Sequence, residues 1–308
     1  MQDQKFQWEK LGLVFSPQGK NQWDFNSALT PTPVVFSDKV RVYAGIRDQN
    51  GISRIGYVDL NPANPSDIIN VSSKPVLDIG EPGSFDDNGI ILGDIIQVGD
   101  QFRMYYVGFQ LVEKVKFLAF TGLAVSVDEG ETFTRQTTVP VLDRQENAQF
   151  FNAVHTVRFE NGKFRFWLGA GSGFELINDI PYPSYNIKYT ESDDGINFIN
   201  KSKDCLNFSS AEEYRLGRPR VYCRNSIYHM IFTWGNKKGN YQMGYATSTD
   251  GENWNRDDAR LNFYPSEKGW DDKWVSYGAL FDVNNNTYMV YNGNEMGKDG
   301  FGLAILKK

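Results

Sequence analysis

The stretch Val42-Tyr43-Ala44-Gly45, an apolar, aromatic-rich run that ends on a glycine, recurs four more times along the chain. The other copies are Tyr105-Tyr106-Val107-Gly108, Phe166-Trp167-Leu168-Gly169, Phe232-Thr233-Trp234-Gly235 and Val290-Tyr291-Asn292-Gly293. Successive glycines are 63, 61, 66 and 58 residues apart, so five repeats account for all 308 residues. A period of this size, built from short β-type runs, predicts an all-β fold: a five-bladed β-propeller with four-stranded antiparallel blades. We expect residues 1–308 to form this one domain.

Composition agrees with this fold class and argues against several functions. Aromatic residues make up 15% of the chain, which favours strands. The net charge is −6 and no Lys/Arg-rich segment is present, so we expect no nucleic-acid partner. The N-terminal residues lack an apolar signal-peptide core and no long apolar run follows, so we expect a cytoplasmic protein without a membrane span. Cys205 and Cys223 are too few for a disulfide framework and are expected to be free thiols.

A second phrase follows the glycine phrase in the three middle repeats, at residues 126–133, 192–198 and 248–254. Each copy combines Ser, Asp and Gly in a way that predicts a hairpin between the third and fourth strands of a blade. The aromatic residue that ends each copy then starts the outer strand. The last repeat lacks this strand, and Trp8–Phe15 offers a match at the other end of the chain. We therefore expect the N-terminal strand to close the last blade, which removes an exposed sheet edge.

The same repeat predicts where a site lies. In a propeller, the starts of the inner strands and the residues just past the second strands converge around the axis. We expect a polar, aromatic-rimmed cup there. Its predicted substrate-binding residues are Arg47, Asp48, Asn152, Glu175, Arg218, Trp274, Tyr277, Asn294 and Glu295.

Four residues are candidates for catalysis: Asp86, Asp87, Glu213 and His155. Each also has a structural alternative, because Asp86 and Asp87 could belong to a plain turn and His155 could be a hydrogen-bonded core residue. A buried guanidinium at Arg218 needs an anionic or polar partner. Glu212 and Glu213, which precede it, are candidates for that partner.

Several of these segments resemble a known group of proteins. Residues 83–90, 218–221, 269–272 and above all 291–302 are similar to the five-bladed propeller superfamily that includes arabinanases, β-xylosidases, invertases, levansucrases and mannoside phosphorylases. The likeness is strongest to uncharacterised members associated with bacterial surface-polysaccharide genes. It implies a carbohydrate-active enzyme of polysaccharide metabolism that acts on a glycan or an activated sugar such as a sugar nucleotide. Hydrolysis, transfer and phosphorolysis are all compatible with it.

The chain differs from members of the superfamily in the positions of its acidic residues. The arabinanase and invertase branches use three carboxylates, at the starts of blades one, three and four. Here blade one opens with Thr30-Pro31-Thr32-Pro33 and blade three with residues 152–155, neither of which contains an acid. Only Glu212 and Glu213 fit the third position loosely. An inverting glycosidase needs two carboxyl groups about 6.5–9.5 Å apart.

Three alternatives therefore remain open at this stage. An acid pair could be assembled from Asp86 or Asp87 with Asp48 and Glu213, with His155 as an alternative base. Phosphorolysis would instead use arginines and lysines to bind an anion, with Arg47, Arg218, Arg220 and Lys298 as candidates. The protein could also be a non-catalytic sugar-binding propeller that has lost the carboxylates. No cofactor is required by these hypotheses, although the resemblance leaves room for an axial calcium near His155 and Asn152. The sequence leaves the oligomeric state open.

Overall fold

The computed structural model describes residues 5–308, and all but two of its regular elements are strands. The N-terminal strand is β1 (Trp8–Phe15). Unit one contains β2 (Asn26–Val35), β3 (Val40–Arg47), β4 (Ser53–Asn61) and β5 (Asn64–Val71). Unit two contains β6 (Ile90–Val98), β7 (Gln101–Gln110), β8 (Leu118–Ser126) and β9 (Thr134–Arg135). Unit three contains β10 (Phe151–Glu160), β11 (Lys163–Ile177), β12 (Ile180–Ser192) and β13 (Lys203–Leu206).

The last two units complete the chain and contain its two short helices. Unit four contains β14 (Glu213–Arg224), β15 (Ile227–Asn236), β16 (Tyr241–Ser248) and β17 (Asn255–Arg256), followed by α1 (Asp258–Leu261). Unit five contains β18 (Ser276–Val283), β19 (Asn286–Asn292), α2 (Asn294–Gly297) and β20 (Phe301–Leu306). In residues 5–308 no helix is long and apolar enough to cross a membrane. Cys205 and Cys223 are free thiols.

Within each unit, strands that follow one another in sequence pair antiparallel. Four of the five repeated glycines lie in the second strand of a unit, and Gly293 directly follows β19. In unit five the fourth strand is β1, which pairs antiparallel with β20 from Trp8↔Leu306 to Phe15↔Phe301. The predicted position of the N-terminal strand is therefore confirmed.

Apolar side chains fill the spaces between successive units. One cluster joins units one and two, and others join two to three, three to four and four to five. A further cluster joins the last unit to the first, with Val290 and Leu303 of unit five packed near Val42 and Val58 of unit one. Each sheet thus buries both of its faces against neighbours, which accounts for the nearly continuous apolar runs in the second strands.

The two repeated phrases meet across the boundary between units. The Tyr43 hydroxyl donates to the Gly130 carbonyl at 2.9 Å. In the same way Tyr105 donates to Gly195 at 2.8 Å, and the Trp167 indole donates to Gly251 at 2.7 Å. An aromatic residue of one glycine phrase therefore binds the hairpin of the next unit.

One predicted outer strand is displaced. In unit three the aromatic Phe198 does not start the strand, which begins at Lys203. The Asp194 carboxylate accepts from the backbone N–H groups of Ile196 and Asn197, and Ser192 donates to the Asn197 carbonyl. Asp250 of unit four accepts the two equivalent bonds, and there the strand starts directly after Trp254, so the Asp194 bonds do not by themselves delay the strand of unit three.

Candidate functional site

Each of the five inner strands is irregular at an equivalent place. The pairing register slips between Leu29/Thr32, Leu92/Asp94, Val154/Thr156, Gly217/Arg220 and Ser276/Ala279. The residues within these slips include Thr30, Gly93, His155, Arg218 and Tyr277. Three of them, Thr30, Arg218 and Tyr277, have left-handed φ values of 51°, 55° and 58°. Such bulges free carbonyl groups and side chains from the ladder and direct them away from the sheet.

Arg218 collects the carbonyl groups that these bulges free. Its Nη1 donates to the carbonyls of Leu92 (2.8 Å) and Gly93 (2.7 Å) of β6. Its Nη2 donates to Thr30 O (3.0 Å) and to Thr32 Oγ1 (2.5 Å) of β2. The side chain is 1% exposed, so this one guanidinium joins the inner strands of units four, one and two in the interior.

The prediction that Glu212 or Glu213 pairs with Arg218 is wrong. Glu213 turns instead to Arg256 of β17, and its carboxylate accepts from both terminal nitrogens at 2.8 and 2.9 Å. The Ser209 backbone and hydroxyl complete its coordination. These donors keep the pKa of Glu213 below its usual range despite burial. The two terminal nitrogens of Arg218 bind neutral acceptors, and among the described residues its buried Nε has no partner.

Asp86 has an arrangement that parallels Glu213. It accepts from Arg135 of β9 at 2.8 Å, from the Tyr106 hydroxyl at 2.9 Å and from the Ser84 hydroxyl at 2.8 Å. Asp86 is 1% exposed. The carboxylate therefore ties the segment before the inner strand to the outer strand of the same unit.

Unit five contains a third pair of this kind. The Asp271 carboxylate accepts from Lys10 of β1 at 2.6 Å and from the Tyr291 hydroxyl at 3.0 Å. In all three units an acid just before the inner strand, or at its first residue in the case of Glu213, pairs with a cation of the outermost strand. The pattern is a repeated structural contact that spans about 40 to 50 residues of sequence in units two and four.

The remaining predicted acids lie nearer the surface. The acids predicted for the site are Asp48, Asp86, Asp87, Glu175, Glu213 and Glu295. Among residues 5–308, Asp87 alone of these six has no cation within 4 Å. One of its oxygens accepts from the Gly83 backbone N–H at 2.8 Å. Its half-buried side chain lies in the turn before β6.

His155 lies beside two arginines. Burial, together with the charges of Arg218 and Arg220, lowers the pKa of His155 well below its usual 6.5, so the ring is neutral. Its Nδ1 is buried without a hydrogen-bond partner. Arg220 is itself paired with Asp94 at 2.8 Å and donates to the His155 carbonyl at 2.6 Å.

Aromatic side chains pack together near the starts of the inner strands β10 and β18, in the region where the sequence predicts a cup; Tyr241, Trp274 and Tyr277 are called the aromatic wall. Tyr241 lies 5.3 Å from Trp274 and 6.4 Å from Tyr277 between ring centroids. Tyr185 stacks on Phe151 at 4.1 Å with an interplanar angle of 8°. Burial raises the pKa of Tyr277, so its hydroxyl keeps its proton at neutral pH. An aromatic surface of this kind binds the apolar faces of sugar rings.

Two arginines accompany this wall. Arg215 at the start of β14 lies over the Tyr241 ring, with Cζ 4.1 Å from the centroid. Arg47 ends β3, and burial lowers the pKa of its guanidinium. Among the described residues neither has a carboxylate within 4 Å, and the Arg215 Nε is buried without a partner.

Four other residues predicted for the site are bound by protein groups: Glu175, Asn294, Glu295 and Asp48. Glu175 of β11 pairs with Lys237 at 3.2 Å, which links units three and four. The Asn294 side chain accepts from the backbone of Lys273 and donates to Asp272. Glu295 and Lys298 form an exposed pair at 3.4 Å. Asp48 binds Arg54 at 2.8 Å and lies beside a groove of about 590 Å³ that also contains Trp23.

The residues near His155 do not suit a calcium ion. Calcium takes six to eight oxygen ligands, whereas two guanidinium groups act on His155. The Asn152 amide nitrogen donates to the carbonyls of Asp143 and Ala148, although its oxygen has no partner. In residues 5–308 no three His, Cys, Asp or Glu side chains are grouped to bind a metal.

Sequence reasoning missed Arg215, Tyr241, Tyr185 and Phe151. The sequence did contain a signal for Arg215, because this residue lies three positions before Arg218 at a predicted inner-strand start. Tyr185 and Tyr241 lie in the third strand of their units, where no motif marks them. Only the arrangement of the sheets in the folded protein brings them beside the inner strands.

No family model matches this chain. Solved structures of similar fold include a glycosyl hydrolase from Bacteroides ovatus, with a TM-score of 0.72 and 14% identity over 98% of this chain and 94% of that one. A structure from the GH130 family of mannoside phosphorylases, which contains glycoside hydrolases that target β-1,2-mannosidic linkages in Candida mannan, has a TM-score of 0.70 and 15% identity over 99% and 95%. A thermostable family-43 glycoside hydrolase has a TM-score of 0.69 and 14% identity over 93% and 91%. At these identities the likeness shows the fold, which is that of the all-β propeller glycosidases.

Two curated relatives are much more similar in sequence. Uncharacterized protein MT1551 of Mycobacterium tuberculosis strain CDC 1551 / Oshkosh is 32% identical over 302 residues, which cover 97% of this chain and 99% of the relative. Uncharacterized protein Rv1502 of Mycobacterium tuberculosis strain ATCC 25618 / H37Rv matches with the same identity and coverage. This chain therefore belongs to the family of the mycobacterial protein Rv1502.

Proposed function

We propose that this protein is a carbohydrate-active enzyme that binds a sugar in the cup of a five-bladed propeller. The five units would be the blades, and the packing of unit five against unit one supports that count. The observation that carries the proposal is the aromatic wall, in which Trp274 and Tyr277 at the start of the inner strand β18 pack against Tyr241, the first residue of β16. The similarity to glycosidase propellers over nearly the whole chain supports the same conclusion.

Among the four predicted catalytic residues we assign the proton transfer to Asp87. Asp86 and Glu213 are each surrounded by donors and hold segments of their own units. Asp87 has a partly exposed side chain and one oxygen without a hydrogen-bond donor among residues 5–308. His155 is neutral and lies deeper, 4% exposed, where it would shape the floor of the cup.

One free carboxylate favours some reactions over others. Hydrolysis by either common glycosidase route uses two carboxyl groups, about 5–5.5 Å apart for retention and 6.5–9.5 Å for inversion. Transfer from an activated sugar needs fewer carboxyl groups than hydrolysis does, because a phosphate-type leaving group departs without strong acid catalysis. A single base that accepts a proton from the acceptor hydroxyl is then sufficient. We therefore place transfer from an activated sugar ahead of hydrolysis, within polysaccharide metabolism.

The test separates catalysis from binding. The protein is incubated with neutral and acidic oligosaccharides, aryl glycosides and sugar nucleotides, and product release is measured beside binding by calorimetry. We expect Asp87→Asn to keep binding and to lose at least 100-fold in turnover, as general acid–base groups contribute about 10²–10⁴-fold. Asp86→Asn is the matched control, and it should lower the melting temperature while the folded fraction stays active.

A second candidate function follows from the same site. If the cup binds sugars but no substrate is turned over by the unaltered protein, the protein is a non-catalytic sugar-binding propeller. Unchanged turnover in Asp87→Asn would instead contradict the assignment of Asp87. The absence of any sugar binding would contradict both functions.

A further inference from the structure

Buried and half-buried arginines in this protein usually have a carboxylate partner. Arg41, Arg135, Arg220 and Arg256 each lie within 3 Å of an aspartate or glutamate oxygen. Burying a charge is costly unless it is paired, which explains the pattern. Five other buried or half-buried arginines have no carboxylate within 4 Å among the described residues: Arg47, Arg103, Arg215, Arg218 and Arg260. Arg103 and Arg218 donate to backbone carbonyls instead.

Arg215 is held in place by aromatic rings and occupies the space beside a glycine. Its Cζ lies 4.1 Å from the Tyr241 centroid and 4.6 Å from the Tyr214 centroid. A Cβ atom on Gly235 would lie 2.7 Å from Arg215 Nε, so the repeated glycine makes the room that this side chain occupies. Stacked rings bind the faces of a guanidinium and leave its N–H edge for a ligand.

Arg47 approaches the same place from the first unit. It ends β3 opposite Asn26 at the start of β2, and β2 lies next to β18, which carries Tyr277. Burial raises the pKa of the Tyr277 phenol, and the charges of Arg215, Arg47 and Arg218 act against that rise. Arg218 is occupied by carbonyl groups, whereas Arg47 makes no side-chain hydrogen bond within residues 5–308.

Two guanidinium groups without counter-ions therefore flank an aromatic wall in a protein of net charge −6. A planar or tetrahedral oxyanion would supply the missing acceptors through charge-assisted hydrogen bonds, which are about twice as strong as neutral ones. We propose that the sugar recognised in the cup carries an oxyanion substituent, a carboxylate or a phosphate, which Arg47 and Arg215 bind beside Tyr277. This inference rests on the proposed function, because it requires that the sugar occupies the cup.

Binding is measured by calorimetry at constant ionic strength with matched probes. These are glucuronate and galacturonate, glucose 6-phosphate, inorganic phosphate, and neutral glucose and galactose. We expect an acidic sugar to bind at least tenfold more tightly than its neutral counterpart. Arg47→Met and Arg215→Met should each remove most of this preference and leave the weak binding of neutral sugar. Arg215→Lys keeps the positive charge but loses the planar guanidinium group, and it should retain part of the preference for acidic sugar.

The control is Arg224→Met, which loses an exposed arginine at the far end of β14 and should keep the preference. Melting curves of all variants confirm that they are folded. Equal binding of neutral and acidic sugars overturns the inference and leaves the proposed function standing. Inorganic phosphate that binds as tightly as glucose 6-phosphate also overturns it, because the anion would then be separate from the sugar. No binding of any sugar overturns the inference together with the proposed function.

Discussion

Replacing Arg218 by methionine tests whether one guanidinium holds the inner strands together. The change removes four hydrogen bonds of 2.5–3.0 Å to groups of β2 and β6. Hydrogen bonds from charged donors contribute about 1.5–3 kcal/mol each, and a buried carbonyl left without a donor costs about 1–3 kcal/mol. The desolvation of an arginine without a carboxylate partner offsets several kcal/mol of this. We expect a net loss of about 3–5 kcal/mol in the free energy of unfolding.

The assay is thermal and chemical unfolding followed by circular dichroism. With an unfolding entropy of about 2.1 cal/mol/K per residue, this loss lowers the melting temperature by about 5–8 °C for a chain of this length. Arg224→Met is the control, because its pair with Asp282 is more than a third exposed and contributes about 1 kcal/mol or less. A melting temperature of Arg218→Met within about 1 °C of the unaltered protein would refute the reasoning, since the carbonyls would then be satisfied without Arg218.

Three further outcomes are expected. His155 binds no proton in the folded state near pH 6, whereas the unfolded chain protonates it below about 6.5, so stability falls as the pH drops through that value. His155→Gln should reduce this slope by up to about 1.4 kcal/mol per pH unit in denaturation at several pH values, and parallel curves would contradict it. Lys10→Met leaves the buried Asp271 without its cation and should cost about 1–3 kcal/mol in unfolding experiments; no loss would mean that β1 is held otherwise. Tyr43→Phe removes the bond to Gly130 and should cost about 1 kcal/mol, and a stability equal to that of the unaltered protein would remove its role between units.

Much of the fold could be predicted from the sequence because its signals are local. The glycine phrases mark the second strands, and the Ser-Asp-Gly phrases mark the turns between third and fourth strands. Both are set by residues within a few positions of each other, through side-chain period and turn chemistry. The error at Phe198 could not be avoided from the turn residues, because the same side-chain bonds form at Asp194 and at Asp250 and only the second turn is followed directly by a strand.

The candidate site was less predictable, because its chemistry depends on partners that are distant in sequence. Asp86 and Glu213 stand where the repeat places site residues. Arg135 and Arg256, which lie 49 and 43 residues further on, take up these two carboxylates. No spacing rule distinguishes such an acid from Asp87, which has no cation among the described residues within 4 Å. The contact can be seen only when the outer strand has returned beside the inner one.

The sequence by itself determined that this chain is all-β, where its strands and turns lie, and that its first strand joins its last unit. Those features follow from period and turn residues that act over a few positions. The tertiary structure decided which charges are paired inside the protein and which have no charged partner. Arg218 and Arg215 show the difference, since they lie three residues apart on one strand. A bulge directs Arg218 to the carbonyls of other units, while Arg215 lies over the Tyr241 ring and beside Gly235. Ion pairing and burial are set by neighbours that only the folded sheets bring together.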